Sequence, residues 1–190
     1  MASNIEIKAH LAPGQAEGIR KEALARSRRP PELVVQSDTF YRSLRGRLKL
    51  RVLGDGAAEL IAYERPDRAG PKHSSYVCAA CADPASLHEA LSRSLGVRGV
   101  VEKTREVIWV GQTRVHLDEV VGLGSFLELE VVLGADQPAA EGEAIARQLM
   151  EAFGISQQAL IEGAYIDLLE ERAQGSPDQS GPSVDPSCRE

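Results

Sequence analysis

Along most of this chain polar and apolar residues alternate one by one, and the polar partner is usually charged. Over residues 4–11, Ile5, Ile7, Ala9 and Leu11 fall on one side and Asn4, Glu6, Lys8 and His10 on the other. A period of two is the mark of a β-strand with two distinct faces. The alternation recurs over residues 45–52, where Arg45, Arg47, Lys49 and Arg51 stand opposite Leu48, Leu50 and Val52. Residues 58–65 place Glu59, Ile61, Tyr63 and Arg65 together, and residues 100–110 place Lys103, Arg105 and Val107 together. Two more strands lie near the middle of the chain. Arg114, His116 and Asp118 share a face of the first, and Glu128 and Glu130 share a face of the second, opposite Leu127, Leu129 and Val131. Residues 33–41 and 75–80 read as further extended segments. Gly54-Asp55-Gly56, Gly111-Gln112 and Gly122-Leu123-Gly124 supply turns between strands.

A second period interrupts the first. Ile19, Ala23 and Leu24 recur at helical spacing over residues 13–29, and Pro30-Pro31 stops the helix. Residues 66–72 read as a loop with Lys72 at its far end. Asp83-Pro84 has the form of an N-cap and first turn, followed by a Leu87, Leu91, Leu95 stripe and a terminating Gly96. Asp136 and Pro138 open a helix to Phe153 with Ile145, Leu149 and Phe153 on its core face. Ser156 caps a last helix expected to run through Leu169 with Leu160, Ile161, Tyr165 and Leu168.

Length and charge narrow the possibilities. A chain of 190 residues, 43% apolar and 26% charged, suits one folded domain, here residues 1–170, with a polar tail over 171–190 of disordered composition. A net charge of -6 argues against nucleic acid as a partner through overall charge, though a locally basic pocket is compatible with it. No run of about 18 apolar residues is present, so no membrane partner is expected. The first residues lack the pattern of a secretory signal, and three cysteines, an odd number, suit a reducing cytoplasm. Cys78 and Cys81 have C-x-x-C spacing without a second pair, and read better as small apolar side chains than as half a zinc site.

The strand faces carry the chemistry. Cations on one face of a strand stand about 7 Å apart and repel by roughly 2 kcal/mol per neighbouring pair at an effective dielectric near 20. Such a row is either a wet edge or one wall of an anion site. About eight strands, mostly antiparallel by hairpin logic, have polar faces too charged for a sandwich core. The economical architecture is α+β: a closed eight-stranded antiparallel barrel, with apolar side chains outward against helices and charged ones inward. Cations would take phosphate oxygens and clustered carboxylates a hard dication, Mg²⁺ or Mn²⁺, which together point to a metal-bound triphosphate.

With those residues assembled, the chain resembles the CYTH domain, the triphosphate tunnel family that includes class IV adenylate cyclases and thiamine triphosphatases. The likeness is sharpest over Leu117-Asp118-Glu119-Val120, Leu123-Gly124, Phe126 and Glu128-Leu129-Glu130. It extends to Leu48-Lys49-Leu50-Arg51, Lys103-Thr104-Arg105 and Tyr165-Ile166-Asp167-Leu168-Leu169, and so covers roughly residues 4–169. The resemblance implies a triphosphate tunnel in which Glu6, Asp118, Glu128 and Glu130 form the catalytic, metal-binding acidic group. It implies that Lys8, Lys49, Arg51, Arg65, Lys72, Lys103, Arg105 and Arg114 hold phosphate oxygens, with Arg45 and Arg47 as mouth or surface charges. The family opens E-x-E-x-K, whereas here the run is Asn4-Ile5-Glu6-Ile7-Lys8. Asn4 keeps an oxygen but loses a charge.

The overall resemblance favours a class IV cyclase converting ATP to cyclic AMP and pyrophosphate. The alternatives are a triphosphatase acting on inorganic, thiamine or nucleoside triphosphates, and a non-catalytic phosphate or nucleotide sensor, which Asn4 would favour. A homodimer is implied by resemblance only. His116 reads as a strand-face histidine bonded to a neighbouring carboxylate, Trp109 and Tyr63 as barrel packing, and Tyr165 as a tie between the last helix and the barrel mouth.

Overall fold

The computed structural model describes residues 2–175. Eight strands form one closed barrel: β1 (Ala2–His10), β2 (Glu32–Tyr41), β3 (Arg47–Leu53), β4 (Ala58–Glu64), β5 (Lys72–Cys81), β6 (Val97–Val110), β7 (Thr113–Val120) and β8 (Gly124–Val132). Around the barrel their order is β1-β5-β4-β3-β2-β6-β7-β8, and every neighbouring pair is antiparallel. Four helices flank it: α1 (Gln15–Arg26), α2 (Pro84–Leu95), α3 (Ala139–Ala152) and α4 (Tyr165–Gly175). The expected α+β architecture is therefore the observed one.

The register sets charged rows side by side inside the barrel. Glu6 of β1 stands opposite Lys72 of β5 and Glu130 of β8, and Lys8 stands opposite Glu128. Arg105 faces Asp118, and Asp38 faces Arg51. On β1 and β8 a slip of one residue would exchange the charged inward row for Ile5, Ile7, Leu127, Leu129 and Val131, so the pattern there fixes its own register. Gly111, with φ of 58°, supplies the left-handed residue of the two-residue turn between β6 and β7.

Outward-facing apolar residues of β1 and β8 pack under two helices. Ile5, Ile7, Leu127, Leu129 and Val131 form one buried cluster with Ile19 and Ala23 of α1 and Ala146, Leu149 and Met150 of α3. α3 comes close because Gly142 has no side chain; a Cβ there would lie 2.7 Å from Ile5 Cγ1 and 2.6 Å from Leu133 Cδ2. The opposite side of the barrel is barer. α2 has no buried residue, Leu95 is 38% exposed, and the expected Leu87, Leu91, Leu95 stripe is not a core face.

Two boundaries differ from the sequence reading. Lys72 opens β5 instead of closing a loop. The last helix does not begin at Ser156: a single 3₁₀ turn at Gln157–Ala159 is followed by an extended run, and α4 starts only at Tyr165. Distant partners pull that run straight across one barrel mouth. Leu160 bridges Ala9, and the Ile161 N–H donates to the Lys8 carbonyl. Lys72 Nζ donates to the carbonyls of Ile161 and Glu162 at 2.9 and 2.6 Å, and Arg65 donates to that of Gly163 at 3.1 Å. Asp167 Oδ2 then accepts from the Ala164 N–H at 2.6 Å and starts the helix. α4 continues past residue 170, where the tail was expected to begin; the rest of that expected tail, residues 176–190, with Cys188, lies outside the described residues.

Replacing Leu129 by Ala, at a position with 0% exposure in the cluster beneath α3, should lower stability by about 2–5 kcal/mol. Urea unfolding would show it as a lower midpoint at unchanged slope.

Candidate functional site

The barrel encloses a cavity of about 520 Å³. Its wall carries seven cationic side chains, Lys8, Lys49, Arg51, Arg65, Lys103, Arg105 and Arg114, and six carboxylates, Glu6, Glu32, Asp38, Glu59, Glu128 and Glu130. Period-2 strands put them all on one face, and closure of the sheet turns that face inward.

Inside, the charges are paired across strands. Asp38 accepts from Lys49 Nζ at 2.7 Å and from Arg51 at 2.8 and 3.0 Å, with Gln36 at 3.2 Å. Burial pushes the Asp38 carboxyl upward, but Lys49 and Arg51 outweigh it and hold the group well below the usual carboxylate range. Deeper in the wall Arg105 joins two carboxylates, meeting Asp118 twice at 2.6 Å and Glu128 at 2.8 Å. Lys103 donates to Asp118 at 2.8 Å, Tyr165 donates its hydroxyl to the same oxygen at 2.8 Å, and Lys8 lies 3.4 Å from Glu128. Against burial, Arg105 and Lys103 hold Asp118 low, and Lys8 and Arg105 hold Glu128 low. On the remaining wall Arg65 pairs with Glu6 at 2.7 Å and Arg114 with Glu130 at 2.7 Å.

Ten of the twelve side chains singled out from sequence line this cavity. Asp118 and Lys72 do not. Asp118 has 0% side-chain exposure and holds Lys103, Arg105 and Tyr165 in place; Lys72 anchors the chain crossing the barrel mouth, and burial with the nearby Arg65 pushes its ammonium down to about 8. Arg47 lies at the rim, paired with Asp67 and Asp167 at 2.7 Å each. Tyr165 does tie the last helix to the barrel, its ring 3.7 Å from Lys8 Nζ. Asp38 was missed, although it is the hub of the Lys49–Arg51 wall. The clue was the period-2 run Gln36, Asp38, Phe40, in which only one residue is charged.

His116 departs from its expected role. It is 3% exposed, its Nε2 stands 3.9 Å from Glu130 Oε2, beyond hydrogen-bond range, and its Nδ1 has no partner among the described residues. Burial and the neighbouring Arg105 push its imidazole down to about 3, so it is neutral at neutral pH. One donor atom each from His116, Glu128 and Glu130 lie within 4.8 Å of one another, and Asn4 Oδ1, buried on the adjacent strand, also lacks a partner. This donor set fits a divalent cation.

A closed eight-stranded barrel whose lumen sets carboxylates beside a row of cations is the architecture of the triphosphate tunnel. The CYTH domain family matches residues 2–165, and the chain belongs to that family, whose tunnel enzymes include adenylate cyclase-like proteins and metal-dependent triphosphatases. No curated protein sequence matches it. Among solved structures it is similar to the PH1012 protein of Pyrococcus horikoshii OT3, at 21% identity and a TM-score of 0.75 over 87% of this chain and 98% of that one. It is also similar to a proposed adenylate cyclase of Vibrio parahaemolyticus, at 18% identity and a TM-score of 0.69 over 88% and 97% of the chains. A third likeness is to HpAC1 of Hippeastrum, a proposed adenylyl cyclase described as having a dominant triphosphatase activity, at 15% identity and a TM-score of 0.63 over 92% and 96%. At these identities the likeness is one of fold. No helix among the described residues is long and apolar enough to cross a membrane.

Lys103 offers a pH test of the cavity. Burial and Arg105 push its ammonium down to about 7 against the pull of Asp118 and Glu128, so it loses its proton as pH rises past that value. A polyanion beside it favours the protonated form and lifts the pKa. Binding of inorganic triphosphate at about pH 8 should therefore take up a proton, and affinity should fall as pH rises through this window. Calorimetry in two buffers of different ionisation enthalpy reads the proton directly; uptake should disappear in Lys103→Met.

Proposed function

We propose that this protein binds a metal-complexed triphosphate in its tunnel and hydrolyses it. The observation that carries the reading is the cross-strand pairing of the lumen, in which each of Glu6, Glu128 and Glu130 already has a cation as partner. A metal-bound triphosphate presents both complements at once. Phosphate oxygens would take Arg65, Arg105, Arg114 and Lys8, leaving Glu6, Glu128 and Glu130 as the residues that would hold the metal. The bound dication, Mg²⁺ or Mn²⁺, would supply Lewis-acid activation of the attacking oxygen and charge neutralisation.

The chain's own residues do the positioning. Lys49 and Arg51 of β3 and Lys103 and Arg105 of β6 stand on either side of β2 and its Asp38, two basic pairs suited to hold successive phosphates in line. Asp38 and Asp118, both almost fully buried, fix the aim of those four side chains. Charge that develops on the leaving phosphate then meets donors already oriented toward it, the usual source of catalysis in phosphoryl transfer.

Cyclisation of ATP is the second reading. The cavity volume of about 520 Å³ favours it, since it falls in the range, about 300–1,000 Å³, of pockets that hold an organic ligand. In that case the ribose hydroxyl replaces water and attacks the α-phosphorus.

The experiment is product analysis with inorganic triphosphate, thiamine triphosphate and ATP, each with Mg²⁺ or Mn²⁺. Orthophosphate release supports hydrolysis, whereas cyclic AMP with pyrophosphate from ATP supports cyclisation. Tight binding without turnover would mean a sensor and overturn both readings; turnover appearing only in Asn4→Glu would identify the missing charge as the cause. In the active enzyme, Glu130→Gln should lower kcat by about 10²-fold or more, and chelation of the metal should abolish turnover.

A further inference from the structure

The metal-ligating face of the tunnel holds a nitrogen donor. His116 lies on β7 directly opposite Glu128 of β8, and its Nε2 looks diagonally toward Glu130 Oε2 at 3.9 Å. The ring is 3% exposed and its Nδ1 makes no hydrogen bond to any of the described residues, an unusual state for a buried imidazole. Ordinarily one ring nitrogen donates to a carbonyl or carboxylate nearby. Here the nearest carboxylates are turned to Arg105 and Arg114 instead. The donors of His116, Glu128 and Glu130 lie within 4.8 Å of one another, a little wider than ligands around a single ion and within reach of side-chain rotation. A second neutral donor is the Oδ1 of Asn4, a residue 2% exposed that lines the same cavity, and it also lacks a partner among the described residues.

We propose that His116 Nε2 is a direct ligand of the metal in this tunnel, and that the resulting nitrogen-and-oxygen donor set selects a first-row transition dication over Mg²⁺. The inference rests on the metal-triphosphate reading above and deepens it. The physical ground is ligand type. Mg²⁺ takes oxygen ligands at 2.0–2.1 Å in strict octahedra and keeps much of its water. Imidazole suits the borderline ions of the first transition row, whose affinities for such donors rise from Mn²⁺ to Cu²⁺. With Asn4 at the first position of the opening motif, the site holds one carboxylate fewer than the family pattern E-x-E-x-K. Loss of a hard anionic donor and gain of an imidazole shift preference in the same direction.

The test reads the metal directly. Mn²⁺ is titrated into the protein alone and with inorganic triphosphate, and electron spin echo modulation records nitrogen-14 coupling to the bound ion. The expected result is an imidazole nitrogen signal in the wild type that is lost in His116→Gln, with Mn²⁺ still bound about tenfold or more weaker. Competition with Mg²⁺ should show a preference for Mn²⁺ that shrinks in the same variant. Mn²⁺ that binds through Glu130, shown by its loss in Glu130→Gln, but carries no imidazole coupling would overturn this proposal and leave the metal-triphosphate reading standing. No Mn²⁺ binding with or without triphosphate would overturn both. Unchanged thermal melting of His116→Gln establishes that a lost signal is not a lost fold.

Discussion

A row of like charges cannot be walled into a barrel unless opposite charges are walled in with it. That constraint governs this molecule. Every strand contributes at least one charged side chain opposite a complementary neighbour, and the register of the sheet is the register in which these pairs meet. Stranding one member of such a pair costs about 3–5 kcal/mol, more than most single core contacts. The lumen is thus held neutral by its own residues, and a ligand enters by exchanging partners.

Exchange explains why the same cavity can be stable when empty of ligand and still attractive to a highly charged one. Arg105 is the clearest case. It spans Asp118, which is inaccessible, and Glu128, which lines the cavity, so one side of its guanidinium is fixed while the other is available. Asp38 does the same for Lys49 and Arg51. Buried carboxylates, Asp38 in the wall and Asp118 behind it, orient the cations, and orientation set before the ligand arrives needs no reorganisation during reaction.

Much of this was legible in the sequence, because charged residues at period two declare both the strand and the face it hides. Asn4 to Lys8, Lys49-Leu50-Arg51 and Glu128-Leu129-Glu130 all read correctly as inward rows. Asp38 escaped because its strand alternates Val34, Gln36, Asp38 and Phe40, a mixed row with a single charge. The last helix was drawn too long because the forces that straighten residues 160–164 come from Lys72 and Arg65, far away in sequence. The Leu87, Leu91, Leu95 stripe reads as an apolar helix face and stays largely unburied, because helical spacing reports only amphipathicity and nothing local says how much of a helix the barrel will cover. His116 looked unremarkable for a similar reason: its lack of a partner depends on where Arg105 and Arg114 draw the neighbouring carboxylates.

The strand order has a consequence for how the chain comes to be. β1 lies between β5 and β8, and the segment after α3 is fastened to it through Lys8 and Ala9. During synthesis, then, the first strand to emerge has neither neighbour until much later, and its inward Glu6 and Lys8 wait in water for Arg65 and Glu128. Contacts of such long sequence separation are slow to form. Closure of the cylinder waits for β8, and until that strand is made the nascent sheet carries an open edge along β1.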